Sequence, residues 1–153
     1  MKIGVIGAGS WGTAIAKLLG EKDGHTISLW AYEKDVCDEI NSEHVNNTFL
    51  PGFSLPESVT ATGDLEKAVK SQEALVFVTP SHVFRSILCD CGKSIQEGIP
   101  IVCCAKGIEN DTLMLMSEVM EDVLDEKLHP YFTVLSGPSF AREVAQGQPT
   151  VVT

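Results

Sequence analysis

A chain of 153 residues with 44% hydrophobic and only 7% aromatic side chains can bury one core built mainly from Val, Ile, Leu and Ala. Its formal net charge is −10, from 21 acidic and 11 basic side chains. Such a field repels polyanions, so no nucleic-acid partner is expected. It also repels a phosphorylated metabolite, so a site for one needs local positive potential from helix N-termini and a few Lys or Arg. No apolar run approaches transmembrane length, and the run after Met1-Lys2 is too short for a signal peptide, so no membrane insertion is expected. The odd set Cys37, Cys89, Cys91, Cys103 and Cys104 reads as free thiols in a reducing, cytoplasmic setting. Neither Cys89-x-Cys91 nor the vicinal Cys103-Cys104 has zinc-knuckle spacing, and no metal is expected.

Residues 2–6 (KIGVI) form a short apolar strand, and residues 10–19 an Ala-rich helix with Ala14, Ile15, Leu18 and Leu19 on one face. Residues 26–30 (TISLW) give a second strand and 33–41 a helix with Val36, Cys37 and Ile40 inward. Turn signals fill 46–56, and a short strand follows at 59–62. Asp64 caps a helix that runs to Lys70. The continuous apolar run 74–78 (ALVFV) is typical of a central parallel strand buried on both faces. Thr79-Pro80 then opens a helix, with Pro80 at its first helical position and Val83, Phe84, Ile87 and Leu88 inward. Residues 99–104 form another strand, and 112–124 an amphipathic helix with Leu113, Met116, Val119, Met120 and Val123 on one side. A strand at 132–135, a short helix at 139–145 and a final strand at 151–153 complete the chain. Strict alternation of strands and helices predicts an α/β fold, a doubly wound, mostly parallel sheet with helices on both faces. The final β-branched run has no turn signal after it, so residues 1–153 read as one domain of a longer protein.

The pattern Gly7-x-Gly9-x-x-Gly12 sits directly after a strand and directly before a helix, which is the context of a dinucleotide-binding turn. Gly7 permits the tight turn, Gly9 lets the backbone approach a pyrophosphate, and Gly12 lets the helix pack against the strand. The helix N-terminus supplies free amides to the anion. An acidic residue that would bind the ribose of NAD is expected at the end of the second strand. Tyr32 stands there instead, with Glu33 late and Lys34 close by, so NAD and NADP both remain open. Tyr32 reads either as a contact to the adenosine or as a surface aromatic. His82 reads as structural or cofactor-lining, and His25, His44 and His129 as solvated turn residues.

Five segments together carry a resemblance. They are residues 7–14 (GAGSWGTA), Leu29-Trp30, residues 78–82 (VTPSH), residues 105–107 (AKG), and residues 135–145 (LSGPSFAREVA) followed by Gly147-x-Pro149-Thr150. In order and spacing the whole chain resembles the bacterial NAD(P)-dependent sn-glycerol-3-phosphate dehydrogenases. The resemblance implies a Rossmann-type cofactor domain and the interconversion of dihydroxyacetone phosphate and sn-glycerol 3-phosphate, serving glycerophospholipid synthesis. It implies cofactor contacts from Ser10, Trp11, Tyr32, Pro80, Lys106 and Ala141, and substrate contacts from Lys106, Gly137 and Ser139. Tyr32 departs from the Arg or His common in that family. The resemblance also implies a C-terminal helical domain carrying the principal acid/base lysine, absent from this sequence, with a homodimer among the expected assemblies.

In hydride transfer to a carbonyl, negative charge develops on the oxygen, and a nearby cation lowers the barrier. Lys106, just past an apolar strand at the edge where open α/β sheets bind ligands, is the candidate. Gly137-Pro138-Ser139 would open the last helix, with free amides for a substrate oxygen, and Ser139 reads as a substrate contact, a helix cap or both. Two other readings compete. One is another dehydrogenase or reductase on the same cofactor domain, such as a ketopantoate reductase or hydroxyacyl-CoA dehydrogenase. The other is a non-catalytic NAD(P)-binding redox sensor.

Overall fold

A computed structural model describes residues 1–153. Six strands form one sheet: β1 (Lys2–Ile6), β2 (Thr26–Trp30), β3 (Val59–Thr62), β4 (Ala74–Phe77), β5 (Ile101–Cys103) and β6 (Phe132–Val134). Their order is β3-β2-β1-β4-β5-β6, and all neighbours are parallel. The helices are α1 (Ser10–Gly20), α2 (Lys34–Glu43), α3 (Leu65–Val69), α4 (Ser81–Cys91), α5 (Met116–Val123) and α6 (Ala141–Ala145).

Strand side chains alternate between two cores, as a sheet covered on both faces requires. Ile3 and Val5 of β1, Ala74 and Val76 of β4, and Ile27 and Leu29 of β2 pack with Ile15, Ala16, Val36 and Ile40 of α1 and α2. Ile6, Leu75, Phe77, Ile101 and Cys103 point the other way, onto Ala68, Phe84, Leu88, Val119 and Met120 of α3, α4 and α5. The strand order reverses between β1 and β4, and the crevice beyond their carboxyl ends is where a sheet of this topology binds its ligand.

Several elements differ from the sequence-based expectation. The amphipathic period at 112–124 starts too early, because α5 begins only at Met116. Leu113 lies in the left-handed region (φ 58°) and is 71% exposed, so it is no part of the helix face. The Glu118 carboxylate accepts from the Leu115 N–H at 2.7 Å and so marks the true start of the helix. Pro80 is the residue before α4, not its first helical residue. On α1, Leu18 is exposed, while Gly12, Thr13 and Ala16 are buried with Ala14 and Ile15, because the helix lies close against the glycine turn. Residues 151–153 do not join the sheet. Thr153 exchanges backbone hydrogen bonds with Ser136, 2.8 Å in each direction, and the two valines before it stay exposed.

The cysteines are all free, with Cys91, Cys103 and Cys104 buried and Cys89 exposed. Burial pushes the Cys91 and Cys104 thiols up to about 12, which keeps both protonated at neutral pH. Three histidines expected in solvent are half-buried instead. A ring nitrogen of His25 lies 3.0 Å from the Leu19 carbonyl, one of His129 lies 3.1 Å from that of Leu124, and His44 ends α2 in the left-handed region. No helix is long and apolar enough to cross a membrane.

Candidate functional site

The glycine turn is shaped by close contacts that exclude side chains at two positions and leave the third open. Gly7 has φ 120°, and a Cβ there would lie 3.1 Å from the Val78 backbone. A Cβ on Gly12 would lie 1.8 Å from the Gly7 carbonyl oxygen. Gly12 therefore lets the helix close on the turn itself, more than on the strand. A Cβ on Gly9 would meet nothing within 4 Å. Gly9 precedes α1 and no acidic side chain occupies the first helical turn. Helix geometry leaves the amides of Ser10, Trp11 and Gly12 without intrahelical partners, since Thr13 N–H is the first to reach back, to Gly9 O at 2.9 Å. Free amides, a positive helix end and open space before Gly9 suit a pyrophosphate.

The loop at residues 46–56 was legible only as turns, yet it holds the turn in place. Asn46 is fully buried. Its Nδ2 donates to Ala8 O at 2.9 Å and to Thr13 Oγ1 at 2.8 Å, and its Oδ1 accepts from Phe49 N–H at 3.1 Å. Thr13 Oγ1 also donates to Ala8 O at 3.1 Å. Leu50 then packs on Ala14, Val144 and Ala145. Asn46→Ala is expected to lower stability by about 2–3 kcal/mol, because it strands buried polar groups. Denaturant unfolding checks this, and an unchanged midpoint would show that the tie contributes little.

At the carboxyl edge of β5 and β6 lies a cavity of about 300 Å³, lined by residues that include Trp11, Lys106, Ser117, Gly137 and Ser139. Lys106 follows β5, and Gly107 beside it has φ 102°. The Lys106 ammonium donates to Ser139 O at 2.9 Å and to Ser139 Oγ at 3.3 Å, and lies 5.4 Å from the centre of the Trp11 ring. The helix after Ser139 begins two residues later than expected, at Ala141, with Phe140 before it. Ser139 is therefore no helix cap, and its amide donates to Gly137 O at 2.9 Å. Its buried hydroxyl faces Lys106 instead. Gly137 has φ 147°, and a Cβ there would meet Val151 O at 2.8 Å.

The remaining expected residues are not among those that line this cavity. Ala141 packs with Trp11 against the Ala14–Leu50 cluster. Pro80 stands where α4 begins. The Thr79 hydroxyl beside it, and the Trp11 indole N–H, are buried without hydrogen-bond partners. Tyr32 is 81% exposed, its ring edge-on to Trp30 at 6.2 Å. Lys34 is engaged by Asp38 at 2.5 Å, which raises its pKa. His82 is exposed on α4.

A six-stranded parallel sheet in this order, with a glycine turn at its first crossover, defines a Rossmann-type dinucleotide-binding domain. Residues 2–153 match the family model described as the N-terminus of NAD-dependent glycerol-3-phosphate dehydrogenase, and the chain belongs to that family. A glycerol-3-phosphate dehydrogenase [NAD(P)+] of Anaeromyxobacter sp. (strain K) is 51% identical over the whole chain, which spans 46% of that relative. One from Myxococcus xanthus is 46% identical, with 45% of its length covered. The chain thus spans about half the length of the curated relatives it matches. The crystal structure of a glycerol-3-phosphate dehydrogenase from Coxiella burnetii superposes with a TM-score of 0.87 at 36% identity, over 99% of this chain and 45% of that one. A ketopantoate reductase from Ralstonia eutropha, at TM-score 0.63 and 20% identity, shares the fold alone.

Proposed function

We propose that residues 1–153 are the cofactor domain of a longer, two-domain enzyme that interconverts dihydroxyacetone phosphate and sn-glycerol 3-phosphate with NAD or NADP. Its place in metabolism on this reading is glycerophospholipid synthesis. The observation that carries it is the meeting of Lys106, Ser139 and Trp11 in one cavity at the carboxyl edge of the sheet. A bound nicotinamide would supply the hydride. The amides of Ser10, Trp11 and Gly12 hold the pyrophosphate, and Pro80 and Ala141 line the path of the dinucleotide. The Lys106 ammonium stabilises the charge that develops on the substrate's carbonyl oxygen. Ser139 and Gly137 orient the same molecule.

Nothing at the end of β2 discriminates strongly against a 2′-phosphate. No carboxylate follows Trp30 directly, and Lys34 is tied to Asp38. NADH and NADPH are therefore expected to bind the chain with affinities within about tenfold of each other, a difference under about 1.4 kcal/mol. Calorimetric titration of both checks this. The decisive assay follows loss of reduced-cofactor absorbance when the full-length gene product meets dihydroxyacetone phosphate. No substrate-dependent loss would sink the reading, as would full turnover by residues 1–153 alone. Five free thiols fit a cytoplasmic setting. The proposal takes the whole enzyme as a homodimer, which light scattering would check.

A further inference from the structure

Between β5 and α5 the chain makes a ten-residue excursion that begins at Lys106. It closes on itself through an antiparallel bridge between Ile108 and Leu115 and a Glu109 N–H to Met114 O bond of 2.9 Å. All side-chain hydrogen bonds that tie residues 107–114 to another element go to one side chain, Arg85 of α4. Its Nε donates to Glu109 Oε1 at 2.8 Å and its Nη2 to Glu109 Oε2 at 2.9 Å, a two-point fork. Nη2 also reaches Met114 Sδ at 3.4 Å, and Nη1 pairs with Asp122 of α5. Thr112 Oγ1 donates to the same Glu109 carboxylate at 2.5 Å. The guanidinium, and after it the Thr112 hydroxyl, hold the Glu109 carboxyl below the usual carboxylate range.

We infer that Arg85 is a positioning residue for Lys106, acting through Glu109. Glu109 lies three residues after Lys106, beyond Gly107, whose φ of 102° turns the chain. Pinning Glu109 to α4 sets the direction in which the Lys106 stem leaves β5. Helix α4 is itself fixed by Phe84 and Leu88 in the core beneath the sheet. The fork therefore refers the ammonium to the rigid scaffold, and the loop's own backbone contacts cannot supply that reference. Arg85 also engages Glu109 and Asp122, two carboxylates that would otherwise add to the negative field around an anion-binding edge. Lysine cannot reproduce a two-point fork. The inference rests on the role given to Lys106 above, but its test reads loop geometry whether or not dinucleotide binds.

The experiment is a double-mutant cycle on the 153-residue chain. The rate of Lys106 acylation by an acetyl N-hydroxysuccinimide ester is mapped by peptide mass, relative to Lys22, which is exposed on the turn after α1. Arg85→Ala, Glu109→Ala and the double variant are each expected to raise the Lys106-to-Lys22 ratio by about fivefold, the double no more than either single. Arg85→Lys should not restore the parent ratio. Each ratio is read under conditions where denaturant unfolding shows the variant fully folded, so that general loss of stability does not enter it. A ratio within twofold of parent in the singles, additive effects in the double, or recovery in Arg85→Lys would each overturn the inference. If Arg85→Ala does not fold, Glu109→Ala alone decides.

Discussion

Replacing Gly9 with valine is expected to abolish dinucleotide binding while leaving the fold almost untouched. The Gly9 backbone is extended at φ −67° and ψ −179°, a conformation open to any L-residue, and its Cβ would meet nothing within 4 Å. Valine is a poorer residue than glycine ahead of a helix, at a cost of about 1 kcal/mol. Its branched side chain would stand in the space before the amides of Ser10, Trp11 and Gly12. Losing those contacts to an anion should weaken NADH by about a hundredfold or more, since each charge-assisted bond contributes about 1.5–3 kcal/mol. Gly12→Ala is the contrasting case. Its methyl would lie 1.8 Å from the Gly7 carbonyl oxygen, so α1 and the turn must separate. Stability should fall by about 3 kcal/mol or more, with binding lost as a consequence. Thermal unfolding beside NADH calorimetry separates the two glycines. NADH affinity in Gly9→Val within a fewfold of parent would mean that the pyrophosphate does not lie against this turn.

The glycine turn is legible in the sequence because it is local: a turn, a helix start and a strand end fall within six residues. A parallel sheet covered on both faces is legible too, since ALVFV at 74–78 needs both faces covered wherever it is placed, whereas the strand order is not. The misses are non-local. Asn46 looked like a turn signal, because its partners, Ala8 and Thr13, lie more than thirty residues back along the chain. The apolar period continued through Leu113 although the backbone there is left-handed. A fork from Arg85, on a different helix, holds the neighbouring Glu109, and no spacing rule within 112–124 encodes that. Ser139 reads from the sequence as a substrate contact, a helix cap or both, because serine before a helix suits either role. Its burial against Lys106 appears only once the chain folds. Thus the residues proposed to bind through backbone amides stand out by sequence spacing. The residues proposed to aim Lys106 emerge only from tertiary geometry.

Lys106→Ala carries the second large expected effect, and it falls on the reaction step rather than on the cofactor. In the folded chain the ammonium is exposed enough to reach a ligand, and its partners are a backbone carbonyl, a hydroxyl and the face of Trp11. None of these becomes a buried unpaired charge when the amine is removed, so stability should change by less than about 1 kcal/mol. The amides proposed to hold the pyrophosphate lie on α1 and do not depend on the amine. Dinucleotide affinity should therefore shift only a fewfold, mainly through the loss of the cation over Trp11, which contributes about 1 kcal/mol. Reduction of dihydroxyacetone phosphate by the full-length enzyme should fall about 10²- to 10³-fold in kcat/KM, the usual loss when one preorganised group at a developing oxyanion is deleted. Measuring NADH affinity and kcat/KM on the same variant resolves the two roles. If both fall together by the same factor, Lys106 serves the cofactor alone. If neither moves, the contact with Ser139 is structural and the charge on the carbonyl oxygen is met from outside residues 1–153.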